Sequence, residues 1–151
     1  MFIRELVPRH AVAAIARFAF KENYSCVPMS HRIRTGAGGD AAEAEYTWGS
    51  GPDRCLMWIE TEGASFLPTD RSESQFITEH YWGYVAQGCG CLEYEVQHER
   101  WCVKEAKRAG LSGNAARLYG AEIAQALSRD PDSAFLAKGS PVTVFKGTRI
   151  R

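Results

Sequence analysis

The sequence has little net charge and no long apolar run. Across its 151 residues, 18 basic side chains balance 18 acidic ones, so no overall field attracts nucleic acid or an anionic membrane. No run reaches the ~20 apolar residues that a membrane-spanning helix needs. The N-terminus also lacks a cationic start followed by an apolar segment. We therefore expect a cytoplasmic protein with neither a nucleic-acid nor a membrane partner.

Cysteine is scarce and odd in number, with five thiols in the chain. An odd count without a secretion signal is typical of reduced thiols rather than of a disulfide framework. Cys89 and Cys91 form a C-x-C pair, which can give two thiolates to a soft metal, with His98 or Cys102 as further candidates. A structural zinc site usually shows a second spaced pair, which is missing here. We favour a glycine-rich turn, with no metal and no cofactor.

Nucleotide-binding motifs are also missing. No G-x-G-x-x-G and no P-loop follows a predicted strand, which argues against nucleotide binding by those routes. No internal repeat and no linker divides residues 1–151. A chain of this length can bury a core as one domain, so we expect a single domain over 1–151.

Apolar periodicity predicts many strands and few helices. The first longer helix begins at Pro8 and carries an apolar stripe from Val12 to Phe20, and the second spans about 114–127 with Gly120 inside it. A Ser72–Gln75 capping box predicts a short helix at 73–80. Strands are predicted at 2–7, 26–34, 42–48, 55–60, 81–86, 91–98, 101–106 and 141–145. The fold class is therefore α+β, mainly β.

Four runs, taken in order, carry a family resemblance: FIRELVPRHAVAAIARFAFKENYSCVPMSH, SESQFITEHYWGYV, LEYEVQHERW and PDSAFLAKGSPVTVF. They resemble the uncharacterised YqjF-like family, a branch of the acetoacetate decarboxylase-like superfamily. The resemblance covers nearly the whole chain. It implies a curved antiparallel sheet, a cone or partial barrel, with a small-molecule cavity at one mouth.

The resemblance to the decarboxylases themselves stops at their catalytic lysines. In those enzymes the helix corresponding to 12–18 leads through an arginine-containing turn to a Gly, an aromatic, a Pro and two lysines, and the first lysine forms a Schiff base with the substrate. Arg17 matches the arginine, but Tyr24 and Ser25 stand where the paired lysines would be. Neither can form an imine, and Lys21 comes three positions too early. Decarboxylation through an imine is not expected.

The start of the chain also differs from the family pattern. Members usually carry further strands before the first of these runs, and these N-terminal strands are absent here. The chain is then a short member, a fragment, or a protein whose sheet a partner completes. An open strand edge invites pairing. We expect a homo-oligomer in which a second copy covers the strands near Phe2–Val7 or the Trp48–Trp58 hairpin.

Six polar residues are candidates for ligand binding: Arg4, Glu5, Tyr24, Ser25, Glu79 and His80. Arg4 and Glu5 are adjacent on a strand and point to opposite faces. The family resemblance gives Glu5 a cavity-lining position. A buried carboxyl needs partners or a raised pKa, and a raised pKa also makes a general base. The structural alternative is a salt bridge of Glu5 with Arg17 or Arg9.

The remaining candidates follow the first predicted helix or lie at the end of the short helix predicted at 73–80. Tyr24 is either a cavity-lining ring with a polar tip or part of the core. Glu79 and His80 lie where the short helix meets a strand, a common place for a site. A histidine is a common proton-transfer group, and Glu79 would orient the His80 ring. A helix cap is the equally supported structural alternative.

Three functions follow from these residues. The leading hypothesis is a small-molecule-binding domain whose ligand is a modest, partly polar organic molecule. An apolar cavity would hold it, with Glu5, Tyr24 and His80 as polar contacts. The enzymatic alternative is a lyase or hydrolase that uses Glu5 or His80 as general acid or base. The structural alternative is an oligomer-completing subunit.

Overall fold

The structure is a computed structural model that describes residues 4–36 and 38–150. Strands are β1 (Glu5–Val7), β2 (Tyr24–Cys26), β3 (Met29–Thr35), β4 (Ala41–Trp48), β5 (Cys55–Thr61), β6 (Trp82–Gln87), β7 (Gly90–Gln97), β8 (Val103–Gly113), β9 (Phe135–Ala137), β10 (Thr143–Val144) and β11 (Thr148–Ile150). Helices are α1 (His10–Ile15), α2 (Glu73–Thr78), α3 (Ala116–Tyr119) and α4 (Ala121–Leu127), with a π-helix at Ala16–Phe20 and a 3-10 turn at Gly51–Asp53. The predicted α+β, mainly β class is confirmed.

The largest sheet is antiparallel and curls into a half-barrel. Its strands run in the order β3-β4-β5-β8-β9. Alternation puts Ala44 opposite Ile59 and Trp48 opposite Cys55 on one face. Trp48 and Cys55 are buried there with Ala115, and α3 and α4 pack against them. This half-barrel confirms the predicted curved antiparallel sheet.

The hairpin of β4 and β5 forms as predicted, and it lies inside the sheet. β3 pairs with the outer side of β4, and β8 pairs with the outer side of β5. Both of its edges are therefore used within the chain. The Trp48–Trp58 hairpin offers no free edge to a second copy.

A second sheet is built around β7. β6 pairs along one side of β7, and β11 and β10 share the other side. Leu92 and Tyr94 face inward and are buried, as the alternation of that strand predicts. The sequence predicts only one strand after residue 140, since the short polar segment Thr148–Ile150 gives no alternation signal of its own.

The N-terminal unit joins β1 and β2 in parallel through a helix. Small residues, Ala13 and Ala16, make its buried face. Of the predicted apolar stripe, Ala16 is buried, but Val12 and Ile15 are exposed, so the stripe is only partly correct. The winding changes from α to π at Ala16, and a π turn takes more residues than an α turn. Beyond Ala16, a stripe drawn with a constant helical period therefore drifts off the buried face.

Three predicted elements differ from the structure for local reasons. The strand expected at 26–34 is split at Pro28, which has no N–H for a ladder, so β2 pairs with β1 and β3 with β4. The helix expected at 114–127 breaks at Gly120, whose φ is 83°, a conformation that suits glycine. The strand expected at 101–106 continues to Gly113 because β5 pairs with it along its length.

The predicted capping box is confirmed at its first bond. Ser72 Oγ accepts a hydrogen bond from the Gln75 N–H at 3.1 Å. The return bond shifts by one residue, since the Arg71 N–H donates to Gln75 Oε1 at 2.6 Å. Helix α2 ends at Thr78 rather than at residue 80. Within residues 4–36 and 38–150, no helix has the length and apolar character required to span a membrane.

Candidate functional site

Parallel pairing of β1 and β2 brings two of the predicted residues together. Glu5 lies directly opposite Tyr24, and Leu6 lies opposite Ser25. All four are partly buried. The sequence places Glu5 and Tyr24 in separate motifs, and the crossover through α1 is what makes them neighbours.

Two residues that the sequence did not suggest complete this group. Tyr94 Oη donates a hydrogen bond to Glu22 Oε1 at 2.6 Å, across 72 positions of the chain. The Phe20 ring meets the Tyr94 ring edge-on, with centroids 5.3 Å apart. Gly83, opposite Tyr94 on β6, leaves the room that the tyrosine ring needs. We call Glu5, Glu22, Tyr24 and Tyr94 the carboxylate–tyrosine cluster.

The cluster favours the protonated forms of Glu5, Tyr24 and Tyr94. Burial raises the pKa of Glu5, and the nearby Glu22 raises it further. Burial also raises the pKa of Tyr24, with Glu5 and Glu22 adding to the effect. Burial and the hydrogen bond to Glu22 raise the pKa of Tyr94 strongly. A carboxyl whose pKa is raised keeps its proton to higher pH than usual and can donate it to a substrate.

Glu5→Gln is expected to stabilise the fold at neutral pH. Because the pKa of Glu5 is raised in the folded state, the fold binds more protons than the unfolded chain, and wild-type stability falls as pH rises through that pKa. The amide removes this loss, so the two proteins should differ at neutral pH and converge below the ordinary glutamate pKa. Urea unfolding midpoints of both proteins across that range test this. A variant less stable than wild type at neutral pH contradicts it.

The predicted salt bridge of Glu5 is not formed with Arg17. Arg17 Nε donates instead to the backbone carbonyl of Tyr24 at 2.7 Å. Arg4 is partly buried, and its Nε has no hydrogen-bond partner among the described residues. The cluster therefore holds its carboxyls without a neutralising ion pair from Arg17, consistent with the raised pKa of Glu5.

Glu79 and His80 lie in a different place, which we call the helix groove. It is an open groove of about 750 Å³ lined by Arg71, Ser72, Glu73, Gln75, Phe76, Glu79, His80, Tyr81 and Trp82. Glu79 accepts a hydrogen bond from Arg100 Nε at 2.7 Å, and so pairs with that arginine. His80 is exposed and meets the Phe76 ring edge-on at 5.6 Å. Glu5 and Tyr24 do not line this groove.

A third region, which we call the sheet cleft, is partly enclosed and could hold a ligand. It has a volume of about 600 Å³ and lies on the face of the half-barrel that α4 covers. Its apolar lining from the sheet is Ala44, Tyr46, Met57, Ile59, Ala109 and Leu111. None of the six residues predicted from the sequence lines it. Ligand pockets commonly have 300–1,000 Å³ and a largely apolar wall, so the cleft has the dimensions of a small-molecule site.

The charged groups of the sheet cleft lie on one side of it. Arg129, Asp130 and Asp132 follow α4 and line that side, while the sheet side is apolar. A ligand there would bury an apolar body against β5 and β8 and keep a polar end beside these charges. The alternation of Ala44 and Tyr46, and of Met57 and Ile59, could have indicated the cleft from the sequence. Nothing in the β8 sequence does, because that segment does not alternate.

The cysteines and other ligating side chains show no grouping. All five cysteines are free thiols. Within residues 4–36 and 38–150, no three His, Cys, Asp or Glu side chains are arranged to hold a metal ion. The expectation of no metal stays a prediction that elemental analysis of the purified protein would test.

Comparison with known proteins finds one match, and it spans most of the chain. Residues 1–141 match the model of DUF2071, described as an uncharacterized conserved protein (COG2071). No curated protein and no solved structure gives a significant match. The family match covers β1 to β9, and therefore both the carboxylate–tyrosine cluster and the sheet cleft.

Proposed function

We propose a function for this chain, which belongs to the uncharacterized conserved family DUF2071. The protein is a single small-molecule-binding domain that holds its ligand in the sheet cleft. The cleft of about 600 Å³ on the covered face of the half-barrel is the observation that carries this proposal. The ligand is a modest organic molecule with an apolar body and a polar end. We place the protein in the cytoplasm and expect it to bind neither nucleic acid nor membrane.

The dimensions of the cleft limit the affinity we expect. A drug-sized ligand gains about 0.3 kcal/mol per non-hydrogen atom. A ligand of about 20 such atoms would then reach about 6 kcal/mol, which corresponds to a Kd of tens of micromolar. Met57, Ile59 and Leu111 supply the apolar contact.

We also propose that the family lies in the acetoacetate decarboxylase-like superfamily, as its YqjF-like branch. The four sequence runs support this, and the curled antiparallel half-barrel is compatible with the cone or partial barrel that the resemblance implies. The departures at Tyr24 and Ser25 still separate the chain from the decarboxylases.

A second candidate function is acid–base catalysis, as a lyase or hydrolase. The specific observation that favours it is the carboxylate–tyrosine cluster, in which burial and Glu22 raise the pKa of Glu5. Strongly shifted groups are common at catalytic sites, although structural networks shift them too. His80 is the less supported general base, because its ring is exposed and Glu79 is paired with Arg100. In this second candidate function, the contacts proposed at Arg4, Glu5, Tyr24, Ser25, Glu79 and His80 would be made with a substrate and not with a ligand in the sheet cleft.

A thermal-shift screen tests ligand binding. The panel contains keto acids, phenols and small lipids, each at saturating concentration. A compound present at ten times its Kd adds about 1.4 kcal/mol to stability, which for a domain of this size raises Tm by about 4–6 °C. We expect at least one class to do so, with a Tm that rises with the logarithm of the ligand concentration above Kd. A panel without any shift contradicts the proposed function.

The absence of an imine is a separate expectation. The protein is incubated with acetoacetate, treated with borohydride and analysed by mass spectrometry. We expect no reduced adduct, because Tyr24 and Ser25 occupy the positions of the paired lysines and the Lys107 ammonium lies 3.3 Å from a Glu60 carboxylate oxygen. Specific trapping of one lysine, lost when that lysine is changed to alanine, contradicts this. The candidates would be Lys21, Lys104, Lys107, Lys138 and Lys146.

Self-association is the third proposal, with a structural, oligomer-completing role as its strongest form. A strand edge that stays unpaired within the described residues supports it. β4 and β5 have no free edge, so any pairing between copies must use another strand. Light scattering of the wild-type protein tests the association itself.

A further inference from the structure

Strand β6 has a free edge. Within the part of the chain that the structure describes, it pairs with β7 alone. The Val96 N–H donates to the Tyr81 carbonyl at 2.9 Å, so odd-numbered residues of this strand bond to β7. On the other side of β7, the Phe145 N–H donates to the Glu95 carbonyl. The even-numbered residues of β7 therefore bond toward β6, and its odd-numbered residues bond away from β6. The backbone groups of the even-numbered residues of β6 therefore point away from β7.

The residues with outward backbone groups are Trp82, Tyr84 and Ala86. Trp82 is 52% exposed and Tyr84 is 55% exposed, and β6 carries no charged residue. Natural sheet edges usually resist pairing by means of charge, proline, a bulge or a cover. β6 uses neither charge nor proline along this edge.

The edge of the other sheet is different. β3 carries Arg32 and Arg34, which form ion pairs with Glu45 and Glu43 at 2.8 and 3.0 Å. Charged side chains on the edge strand itself make strand addition at β3 costly, whereas the nearest charges beside β6, Glu93 and Glu95, lie one strand inward on β7. Of these two edges, β6 is the one suited to pairing.

We propose that β6 pairs with β6 of a second copy of this chain, antiparallel and about a two-fold axis at Tyr84. The backbone groups that point away from β7 in one copy then meet the same groups of the second copy. Tyr84 lies opposite Tyr84 of the second copy, and Trp82 lies opposite Ala86 of the second copy. These three residue pairs form about six backbone hydrogen bonds. An uncharged edge strand in antiparallel pairing is complementary to itself, as a two-fold interface requires. The inference rests on the self-association proposed above and adds the strand that produces it.

The area that becomes buried predicts a weak dimer. Phe76 is 75% exposed and shares the helix groove with Trp82, and Tyr84 follows on the same face of β6. An aromatic side chain buries about 150–250 Å², so these three rings offer about 300–400 Å² per copy. With the strand backbone, both copies together bury about 800–1,000 Å², which is less than the ~1,200 Å² of a stable interface and typical of a weak one. We expect association in the micromolar range.

Light scattering at several concentrations measures the dimer. Wild type is expected to be mainly dimeric at about 100 µM and to dissociate on dilution. Tyr84→Lys places two ammonium groups opposite each other at the axis and should give a monomer at every concentration. Ile33→Lys is the matched control, because it adds the same charge to an exposed apolar position of the β3 edge. It should leave the dimer intact.

A disulfide cross-link locates the interface in a variant that adds no charge to the β6 edge. Directly opposed residues of a hydrogen-bonded pair have Cα atoms about 5.5 Å apart, within the range for a disulfide. Tyr84→Cys should form a disulfide between the two copies at residue 84 on oxidation, assigned by peptide mass spectrometry. A monomeric wild type overturns both this inference and self-association. A wild-type dimer that persists with Tyr84→Lys, or shows no link at residue 84, overturns the β6 interface alone, and a peptide or other partner on this edge would then have to be sought.

Discussion

Replacing Gly83 with alanine is expected to lower the free energy of unfolding by about 2–3 kcal/mol, because it overfills a packed position. A Cβ at residue 83 would overlap the ring and hydroxyl of Tyr94. The ring must then move away from β6, and its hydrogen bond to Glu22 is lost. One added methyl group would thus break the hydrogen bond that links Tyr94 on β7 to Glu22 in the carboxylate–tyrosine cluster.

Two control variants separate the overlap from the hydrogen bond. Tyr94→Phe removes only the hydroxyl and should cost about 1–2 kcal/mol, since the bond goes to a carboxylate. Gly38→Ala adds the same methyl group where no atom lies within 4 Å and should change stability little. Urea unfolding compares the three. If Gly83→Ala is as stable as Gly38→Ala, Tyr94 does not depend on this glycine.

Ala109→Trp is expected to weaken ligand binding at least tenfold, a loss of about 1.4 kcal/mol. Ala109 lies on the sheet side of the cleft, beside Met57 and Ile59. A tryptophan there fills space that the ligand would occupy, and the open volume of about 600 Å³ lets it do so without overpacking the core. The affinity is that of the best compound from the thermal-shift panel, measured by calorimetry.

Ser112→Trp is the matched control for this variant. Ser112 lies on the same strand, opposite Leu56, on the face away from the cleft, and it is exposed. The same large residue should leave the affinity unchanged there. Equal affinity of Ala109→Trp and wild type would show that the compound binds outside the sheet cleft.

The sequence was sufficient for elements that alternate clearly. β4 and β7 lie within one residue of their predicted bounds because their apolar and polar residues alternate. β5 also does so, because its sequence is apolar on both faces, as expected for a central strand. β8 was truncated in the prediction, since Lys107 to Gly113 does not alternate and becomes a strand through pairing with β5. The single helix predicted at 114–127 is divided at Gly120, although the residues on both sides of this glycine are helical.

The site was less predictable because it depends on contacts between distant segments. Glu5 was identified as an unusual charge in a strand, and burial does raise its pKa. Its neighbours Glu22 and Tyr94 come from a helix end and from a strand of another sheet, and no spacing in the chain indicates them. The sheet cleft likewise needs the register of three strands, which the sequence does not specify.

A crystal structure of the protein with the tightest-binding panel compound tests the central claim most directly. We expect the compound between Met57, Ile59 and Leu111, with its polar end toward Arg129 to Asp132. Density for the compound in the helix groove or at the carboxylate–tyrosine cluster, with the sheet cleft empty, would contradict the claim.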